Sequence, residues 1–194
     1  TVVHIATAQE AAVQLVSIIV PSPIGDWLAV ADAVPTADTS ADSYVGAVRM
    51  CAFVSREHPR TDALTRLSTQ EAAALSGAAD ETHPVARALT DYFAGDVRAL
   101  DAIACEQPGT PFQQATWAAM RGIPAGGTAS YAQLAAASGR PAAVRAAASV
   151  CAVNRIPLFI PCHRVLRSDG STGNYYFGAG VKRWLLAHES DSRR

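Results

Sequence analysis

Cys162 and His163 stand side by side in the sequence and are the residue types best suited to nucleophilic chemistry. A thiol attacks as its thiolate, and neighbouring bases or cations lower the pKa of the thiol. Adjacent side chains on an extended chain point apart, so the imidazole would reach the sulfur only across a bent backbone or a bridging water. Glu189, one of only three acids after residue 108, is the carboxylate that could orient this histidine. The alternative is that Cys162 is a buried small hydrophobe.

The four cysteines, Cys51, Cys105, Cys151 and Cys162, do not have the spacing of a zinc site. Two disulfides are one possibility. The sequence shows no secretory leader and is large for four cysteines, so we expect free thiols in a reducing compartment. We also expect Cys51 and Cys151 to be buried as small apolar side chains, and we expect no bound metal.

A second pattern, residues 128–150, is typical of two short helices joined by a tight turn. Thr128 or Ser130 can cap the first helix, and Gly139-Arg140-Pro141 supplies the turn. The second helix, predicted over residues 142–150, is almost all alanine with one exposed base, Arg145. It lacks the side chains that read bases in the major groove, which favours a minor-groove helix held by phosphate contacts. A plain alanine-rich packing helix explains the same segment.

The remaining elements must position these residues. Apolar, β-branched segments predict three strands, at residues 13–20, 27–31 and 47–54, with a turn at residues 21–26. Helical patterns begin at Thr61 and recur at residues 112–120 and 181–190. The turn-rich residues 106–111 mark the best domain boundary, which gives domains over residues 1–107 and 108–194.

Composition and charge exclude several classes of protein. With 49% hydrophobic and 17% charged residues, the 194-residue chain is not predicted to be disordered as a whole. It is not predicted to span a membrane, since no apolar run approaches about 20 residues.

The net charge of −1 hides an asymmetry between the two halves of the sequence. Residues 1–108 carry a net charge of −8, whereas residues 109–194 carry nine Arg and Lys182 against three acids, a net charge of +7. This split suggests that the second half meets a polyanion, although two unrelated solvated surfaces would give the same numbers.

These residues carry a resemblance to a known family. Residues 160–165, Ile-Pro-Cys-His-Arg-Val, resemble the PCHRV active-site signature of the O6-alkylguanine-DNA alkyltransferases (methylated-DNA–protein-cysteine methyltransferases), in their bacterial Ada/Ogt-type form. Other segments resemble the GTxFQxxVW helix, the SYxxLA segment, and the closing loop and helix of that family: residues 109–117, 130–135, 173–175 and 182–189. The resemblance covers residues 110–189, and more loosely the hairpin at residues 22–25.

The resemblance implies an α/β two-domain fold, a small antiparallel ribonuclease-H-like sheet domain followed by a mostly helical, winged helix-turn-helix-type domain. It implies DNA repair by irreversible transfer of the alkyl group from O6-alkylguanine, and from O4-alkylthymine, to Cys162 after nucleotide flipping. The residues that match the family's catalytic positions are Cys162, His163, Glu189, Asn154 and Tyr131. Those that match or flank its DNA-binding positions are Arg145, Tyr131, Ala143, Val144, Ala146 and Arg140. Those expected at the substrate pocket are Val165, Tyr175, Tyr176 and Pro157.

In that family the histidine activates the thiol through a water, the asparagine braces the turn before the nucleophile, and the arginine fills the vacated base stack. The resemblance further implies a cytoplasmic monomer (nuclear in a eukaryote) that acts on double-stranded DNA without cofactor, metal or membrane. Tyr176 and Phe177 depart from the pattern, because they stand where some members have Ser-Gly; a hydroxyl contact to the O6 atom is therefore missing or replaced.

Three other functions would fit parts of this sequence. A lesion-binding protein of the alkyltransferase-like class lacks the nucleophilic cysteine, which is present here. A helix-turn-helix transcription regulator should carry base-reading side chains on its second helix, where this sequence offers only Arg145. A cysteine hydrolase would need a substrate pocket that is not built on a DNA-binding helix pair, and it would turn over esters.

Overall fold

The computed structural model describes residues 14–33 and 46–191. Its strands are β1 (Leu15–Ser22), β2 (Gly25–Asp32), β3 (Ala47–Val54), β4 (Leu75–Ala78), β5 (Ala104–Cys105), β6 (Ala129–Ser130) and β7 (Val165–Leu166). Its α-helices are α1 (Arg60–Leu64), α2 (Thr69–Ala74), α3 (Pro84–Ala94), α4 (Pro111–Arg121), α5 (Tyr131–Ala137), α6 (Val144–Ala152) and α7 (Ala179–Asp191). A 3-10 helix covers Cys162–Arg164.

The amino-terminal half is built on a five-stranded sheet with the order β4-β1-β2-β3-β5. The three predicted strands are confirmed, and the side chains of residues 27–31 are fully buried because β2 is the central strand with both faces covered. Val13, which the prediction placed in the first strand, lies outside the described residues. The turn between β1 and β2 is tight: Gly25 has a φ of 138°, and a Cβ there would lie 2.8 Å from the ring of Phe53.

The prediction of an antiparallel sheet is confirmed for the three predicted strands and wrong for the two edge strands of the sheet. β1, β2 and β3 pair in antiparallel fashion, but both edge strands, β4 and β5, pair in parallel with β1 and β3. Each edge strand follows a helix, and a helical crossover returns the chain in the direction that a parallel pairing requires. β4 begins at Leu75, in a segment that the apolar spacing assigned to a helix.

The carboxyl-terminal half is mostly helical, and its long helices lie close to their predicted positions. α4 begins with Thr110 as its cap, in a box where the side chains of Thr110 and Gln113 bond each other's backbone amides. α5 and α6 follow, and the short parallel pair β6–β7 lies beside them. No helix in the described ranges is long and apolar enough to cross a membrane.

One continuous apolar core runs through both halves. Phe177 is buried from the carboxyl-terminal side, with its ring centroid 5.9 Å from that of Trp27 in β2. The backbone amide of Cys51 in β3 donates to the carbonyl of Arg155 at 2.8 Å, and the Arg155 guanidinium pairs with Glu71 at 2.7 Å. The sheet therefore directly contacts and supports the segment before Cys162.

Candidate active site

The buried segment between α6 and β7 carries the cysteine and the histidine. Leu158 has a φ of 71°, a conformation that a leucine rarely adopts, and the Cys162 amide donates to the Ile160 carbonyl at 2.8 Å. The chain then turns through the 3-10 helix, so the backbone at Cys162 and His163 is bent rather than extended. This is the bent geometry that a cysteine and an adjacent histidine need in order to act together.

Cys162 borders a cavity of about 640 Å³. Its side chain is buried, and the residue is 9% exposed. The lining includes five other residues predicted at the site: Tyr131, Asn154, Pro157, Tyr175 and Tyr176. The remaining lining residues are Arg66, Ala148, Ser149, Cys151, Ala152, Arg167, Asn174 and Phe177. The sulfur is thus placed to meet a molecule that enters the cavity.

Glu189 anchors a buried hydrogen-bond network next to the cysteine. Its Oε1 atom lies 2.8 Å from His163 Nε2 and accepts from Arg164 Nη2 at 2.9 Å and from the Tyr92 hydroxyl at 2.9 Å. Its Oε2 atom accepts from Arg164 Nε at 3.0 Å and from the Gly126 amide at 3.1 Å. A fully buried carboxylate with this many donors is held in one position.

The charges of this network fix which nitrogen of His163 carries the proton. Burial alone would raise the pKa of Glu189, but the hydrogen bonds from His163 and Arg164 and the positive charge of Arg164 hold it well below its usual range. The ionised carboxylate only accepts, so Nε2 of His163 must donate. Burial, together with the positive charges of Arg164 and Lys182, lowers the pKa of His163 although Glu189 raises it, and the imidazole is neutral at neutral pH. Within the described residues, its Nδ1 atom has no hydrogen-bond partner.

The thiol itself is protonated at rest. Burial raises the pKa of Cys162, while the Asn154 side chain and the positive charge of Lys182 oppose that rise. Burial likewise raises the pKa of Tyr131, which keeps its hydroxyl as a hydrogen-bond donor at neutral pH. The site therefore pairs a protonated thiol with a neutral histidine that can accept a proton.

Asn154 supports the turn before Cys162. Its Nδ2 atom donates to the Ile160 carbonyl at 2.8 Å, and its Oδ1 atom accepts from the Ile156 amide at 3.0 Å. Gln107 completes the arrangement, because its Nε2 atom donates to Asn154 Oδ1 at 3.1 Å and its Oε1 atom accepts from the Arg155 amide. Gln107 was not predicted as a site residue, because the sequence shows it only as part of the turn-rich segment at the domain boundary.

Val165, whose backbone carbonyl the resemblance places at the edge of the base, is not among the residues that line the cavity. Its side chain is fully buried, and its carbonyl oxygen accepts from Nζ of the buried Lys182 at 2.6 Å. Lys182 is the only lysine of the sequence, and this could have indicated that it has a specific structural role. Tyr175 lines the cavity as predicted; its hydroxyl is buried and has no partner among the described residues.

Apart from Tyr131, which lines the cavity, the residues predicted to bind DNA lie on the surface around the start of α6. Ser130 caps α5, because its hydroxyl accepts from the Gln133 amide, and Gly139 takes a φ of 79° in the turn that follows α5. α6 starts at Val144, two residues later than predicted, because residues 141–143 belong to the turn. The exposed side chains are Arg140, Val144, Arg145 and Ala146, while Ala143 is half-buried.

Several residues in or beside the site were not predicted from the sequence. Cys151 was expected to be a buried small hydrophobe, but it is only partly buried and lines the cavity, because it lies on the face of α6 that borders the opening. All four cysteines are free thiols, as expected. Arg66 comes from the amino-terminal half, where nothing in the sequence suggested a contribution to the site. Arg164 directly follows the Cys-His pair, so its position in the sequence could have predicted a place in the site.

Comparisons with known proteins identify what the chain resembles. Residues 111–191 match the family described as 6-O-methylguanine DNA methyltransferase, DNA binding domain. A methylated-DNA–protein-cysteine methyltransferase of Salmonella typhimurium is 45% identical over 101 residues, which are 52% of this chain and 59% of that protein. A probable methylated-DNA–protein-cysteine methyltransferase of Acanthamoeba polyphaga mimivirus is 41% identical over 101 residues, 52% of this chain and 67% of that protein.

Solved structures match nearly the whole chain. The crystal structure of Mycobacterium tuberculosis O6-methylguanine methyltransferase has a TM-score of 0.67 at 24% identity and covers 92% of this chain and 94% of that one. A structure of Mycobacterium tuberculosis OGT in complex with DNA matches with a TM-score of 0.63 at 26% identity, over 91% of this chain and 93% of that one. The mixed sheet and the helices together thus form an α/β fold of this type.

Proposed function

The chain belongs to the methylated-DNA–protein-cysteine methyltransferase family, and on this premise we propose that it repairs DNA by moving an alkyl group from O6-alkylguanine to Cys162. The observation that carries the proposal is the arrangement of a thiol at a cavity next to a neutral histidine locked by an ionised glutamate. We propose the activity and do not carry it over from the relatives, because the matched part spans only 59% of the length of the Salmonella protein.

The transfer makes one bond to the alkyl carbon and breaks one, and it moves one proton off the thiol and one onto the leaving guanine. His163 takes the proton of the Cys162 thiol through Nδ1, by way of a water. The thiolate attacks the alkyl carbon, the S–C bond forms, and the C–O6 bond breaks. The leaving guanine takes a proton at its ring, and the Tyr131 hydroxyl is the proposed donor. The thioether that results is permanent, so each chain acts once and needs no cofactor or metal.

The other site residues support this step. Asn154 braces the turn before the nucleophile, and Pro157, Tyr175 and Tyr176 border the pocket for the flipped base. The Val165 side chain cannot fill a pocket role because it is buried, and its carbonyl is already bonded to Lys182. O4-alkylthymine offers the same alkyl–oxygen bond, and we include it among the substrates.

Double-stranded DNA is the proposed partner. The target atom lies inside the base stack, so the nucleotide must rotate into the cavity. Residues 109–194 carry a net charge of +7, which suits a phosphate backbone. Arg145 is exposed on the first turn of α6, from where it can enter the vacated stack, while Arg140 and the small residues Ala143, Val144 and Ala146 let the helix approach the minor groove.

The finer architecture is also part of the proposal. We assign residues 1–107 to a ribonuclease-H-like domain and residues 108–194 to a winged helix-turn-helix-type domain, with α5 and α6 as the helix pair and β6–β7 beside them. The mixed sheet flanked by helices, and the tight turn at Gly139, support this assignment. We further propose that the protein acts as a monomer, since one chain supplies every residue of the mechanism.

Intact-mass measurement tests the function. After mixing with a duplex that holds one O6-methylguanine, the protein should gain one methyl group in place of one hydrogen, and peptide mapping should find it on Cys162. An unmodified duplex of the same sequence is the control and should leave the mass unchanged. Binding without mass gain would instead support a lesion-binding protein, and repeated turnover of an ester would support a cysteine hydrolase.

Replacing Arg145 with alanine should slow repair of duplex DNA by about tenfold or more, because unstacking a base costs a few kcal/mol that the inserted side chain offsets. Reaction with the free base O6-methylguanine should be unchanged. The rate constants are measured at saturating duplex and with the free base for Arg145→Ala and for the control Arg140→Ala. Arg140→Ala should weaken duplex binding without changing the ratio of these two rate constants. Equal ratios for wild type and Arg145→Ala would contradict the role of Arg145.

Duplex binding by the wild type should also weaken with added salt.

A further inference from the structure

Arg66 is the one cationic side chain from the amino-terminal half, among the described residues, that lines the cavity with Cys162. It lies in the turn after α1, far in sequence from the Cys-His pair, and it is partly buried. The other half of the molecule therefore contributes a charged group to the wall of the pocket. Nothing in the mechanism above uses it.

Two contacts fix the position of the guanidinium. Arg66 Nη2 donates to the carbonyl oxygen of Asn154 at 2.7 Å, and Asn154 is the residue that braces the turn before the nucleophile. Arg66 Cζ also lies 5.2 Å from the ring centroid of Tyr176, within the range of a cation–π contact. The Tyr176 ring is 62% exposed at the mouth of the cavity, and His58 packs against it with centroids 5.6 Å apart. Arg66 thus links the turn behind the sulfur to the rim in front of it.

The charge of Arg66 also acts on the sulfur. The titratable and charged groups around Cys162 are its neighbour His163, the cavity residues Arg66, Arg167, Tyr131, Tyr175 and Cys151, and the buried Lys182 and Cys51. The side chains that carry a full positive charge among these are Arg66, Arg167 and Lys182; Arg167 is exposed, and Lys182 is already bonded to the Val165 carbonyl. Glu189 lies behind His163 and is paired with Arg164, so the Arg66 charge is not cancelled at the sulfur by that carboxylate.

We propose that Arg66 is a positioning residue for alkyl transfer, which holds Asn154 and Tyr176 around the flipped base and favours the thiolate of Cys162 by its charge. The inference rests on the proposed function and deepens it, because it gives the amino-terminal half a direct part in the reaction. A side chain fixed at both the turn and the rim couples the position of the base to the position of the sulfur. Small misplacements of reacting atoms have large effects on rate.

The experiment compares the 194-residue wild-type chain with Arg66→Met, Arg66→Lys and the control Arg56→Met. Arg56 is an exposed arginine of the same half, so its replacement makes the same change in charge away from the cavity. Arg66→Met should slow alkyl transfer by about tenfold to a hundredfold without weakening duplex binding. A second measurement follows the reaction of Cys162 with iodoacetamide, without DNA, as a function of pH. Its profile should move to higher pH in Arg66→Met and return toward wild type in Arg66→Lys.

The two readouts separate the possible results. Arg66→Lys keeps the charge but not the planar fork, so it should restore the iodoacetamide profile while transfer stays slower than in wild type. Transfer by Arg66→Met at the rate of Arg56→Met, or an unmoved iodoacetamide profile in a folded Arg66→Met protein, would overturn the proposal. If wild type itself gains no methyl group, the proposed function fails, and the iodoacetamide profile still reports on Arg66 and the thiol.

Discussion

Replacing Cys162 with alanine should abolish alkyl transfer while leaving duplex binding within a fewfold of wild type. The alanine has no atom that can bond to the alkyl carbon, and the exposed arginines on and before α6 are untouched. Cys162→Ser tests the same point more closely, because a hydroxyl of similar shape is far harder to deprotonate. We expect that variant to react at least about a thousandfold more slowly than wild type. Intact mass and a filter-binding assay on the same samples measure the two effects.

The matched control is Cys151→Ala, which removes the other thiol that lines the cavity. Burial raises the pKa of Cys151 to about 12, and no histidine network like that of Glu189 adjoins it among the described contacts, so this variant should transfer the alkyl group nearly as wild type does. A methyl gain that survives in Cys162→Ala and disappears in Cys151→Ala would mean that the acceptor is Cys151.

Replacing Glu189 with alanine should lower the free energy of unfolding by about 3–5 kcal/mol, because it leaves buried charges and donors without their partner. Arg164, His163 and Tyr92 would all lose the acceptor that they share. Alkyl transfer by the folded fraction should fall at least about a hundredfold, since His163 would no longer be held as the tautomer that accepts a proton at Nδ1. Urea unfolding at neutral pH and single-turnover kinetics measure the two losses.

The stability effect should depend on pH in a defined direction. The pKa of Glu189 is lower in the folded chain than its ordinary value of 4.5, so its contribution is complete above 4.5 and is lost as the pH falls through the folded value. The pKa of His163 is also lowered, from 6.5, and acid below 6.5 therefore already favours the unfolded chain. The stability difference between wild type and Glu189→Ala should shrink below pH 4.5.

Glu81→Ala is the control for this series, because Glu81 is an exposed glutamate whose loss should change stability by about 0.5 kcal/mol or less. Glu189→Gln keeps the shape but turns an amide toward donors, so it should be destabilised as well. If Glu189→Ala unfolds at the same urea concentration as Glu81→Ala, the buried network does not stabilise the fold.

Local patterns predicted the central strands well, because residues 27–31 of β2 are all apolar and β3 is apolar apart from Arg49. They did not predict β4 and β5. Leu75 has helical spacing with the alanines before it, and only pairing with β1, about 60 residues earlier in the chain, makes that segment a strand. Such long-range pairing leaves little trace in a short window of sequence.

The site followed a similar rule. Cys162, His163 and Glu189 could be found because reactive residue types stood in an informative order, and the structure brings His163 and Glu189 to 2.8 Å. Arg66 and Gln107 could not, because their contacts with Asn154 depend on how the two halves pack. Val165 fits the motif, yet its side chain points into the core, which a motif alone does not reveal.

The burial of Lys182 has a consequence for the outer surface. Because the only lysine is 1% exposed and bonded to Val165, the accessible side-chain cations that remain above neutral pH are guanidinium groups. Guanidinium stays protonated across the alkaline range and resists acetylation, unlike a primary amine. Electrostatic attraction to a phosphate backbone should therefore persist in alkaline buffer, and acylating reagents that neutralise lysine-rich proteins should leave it intact.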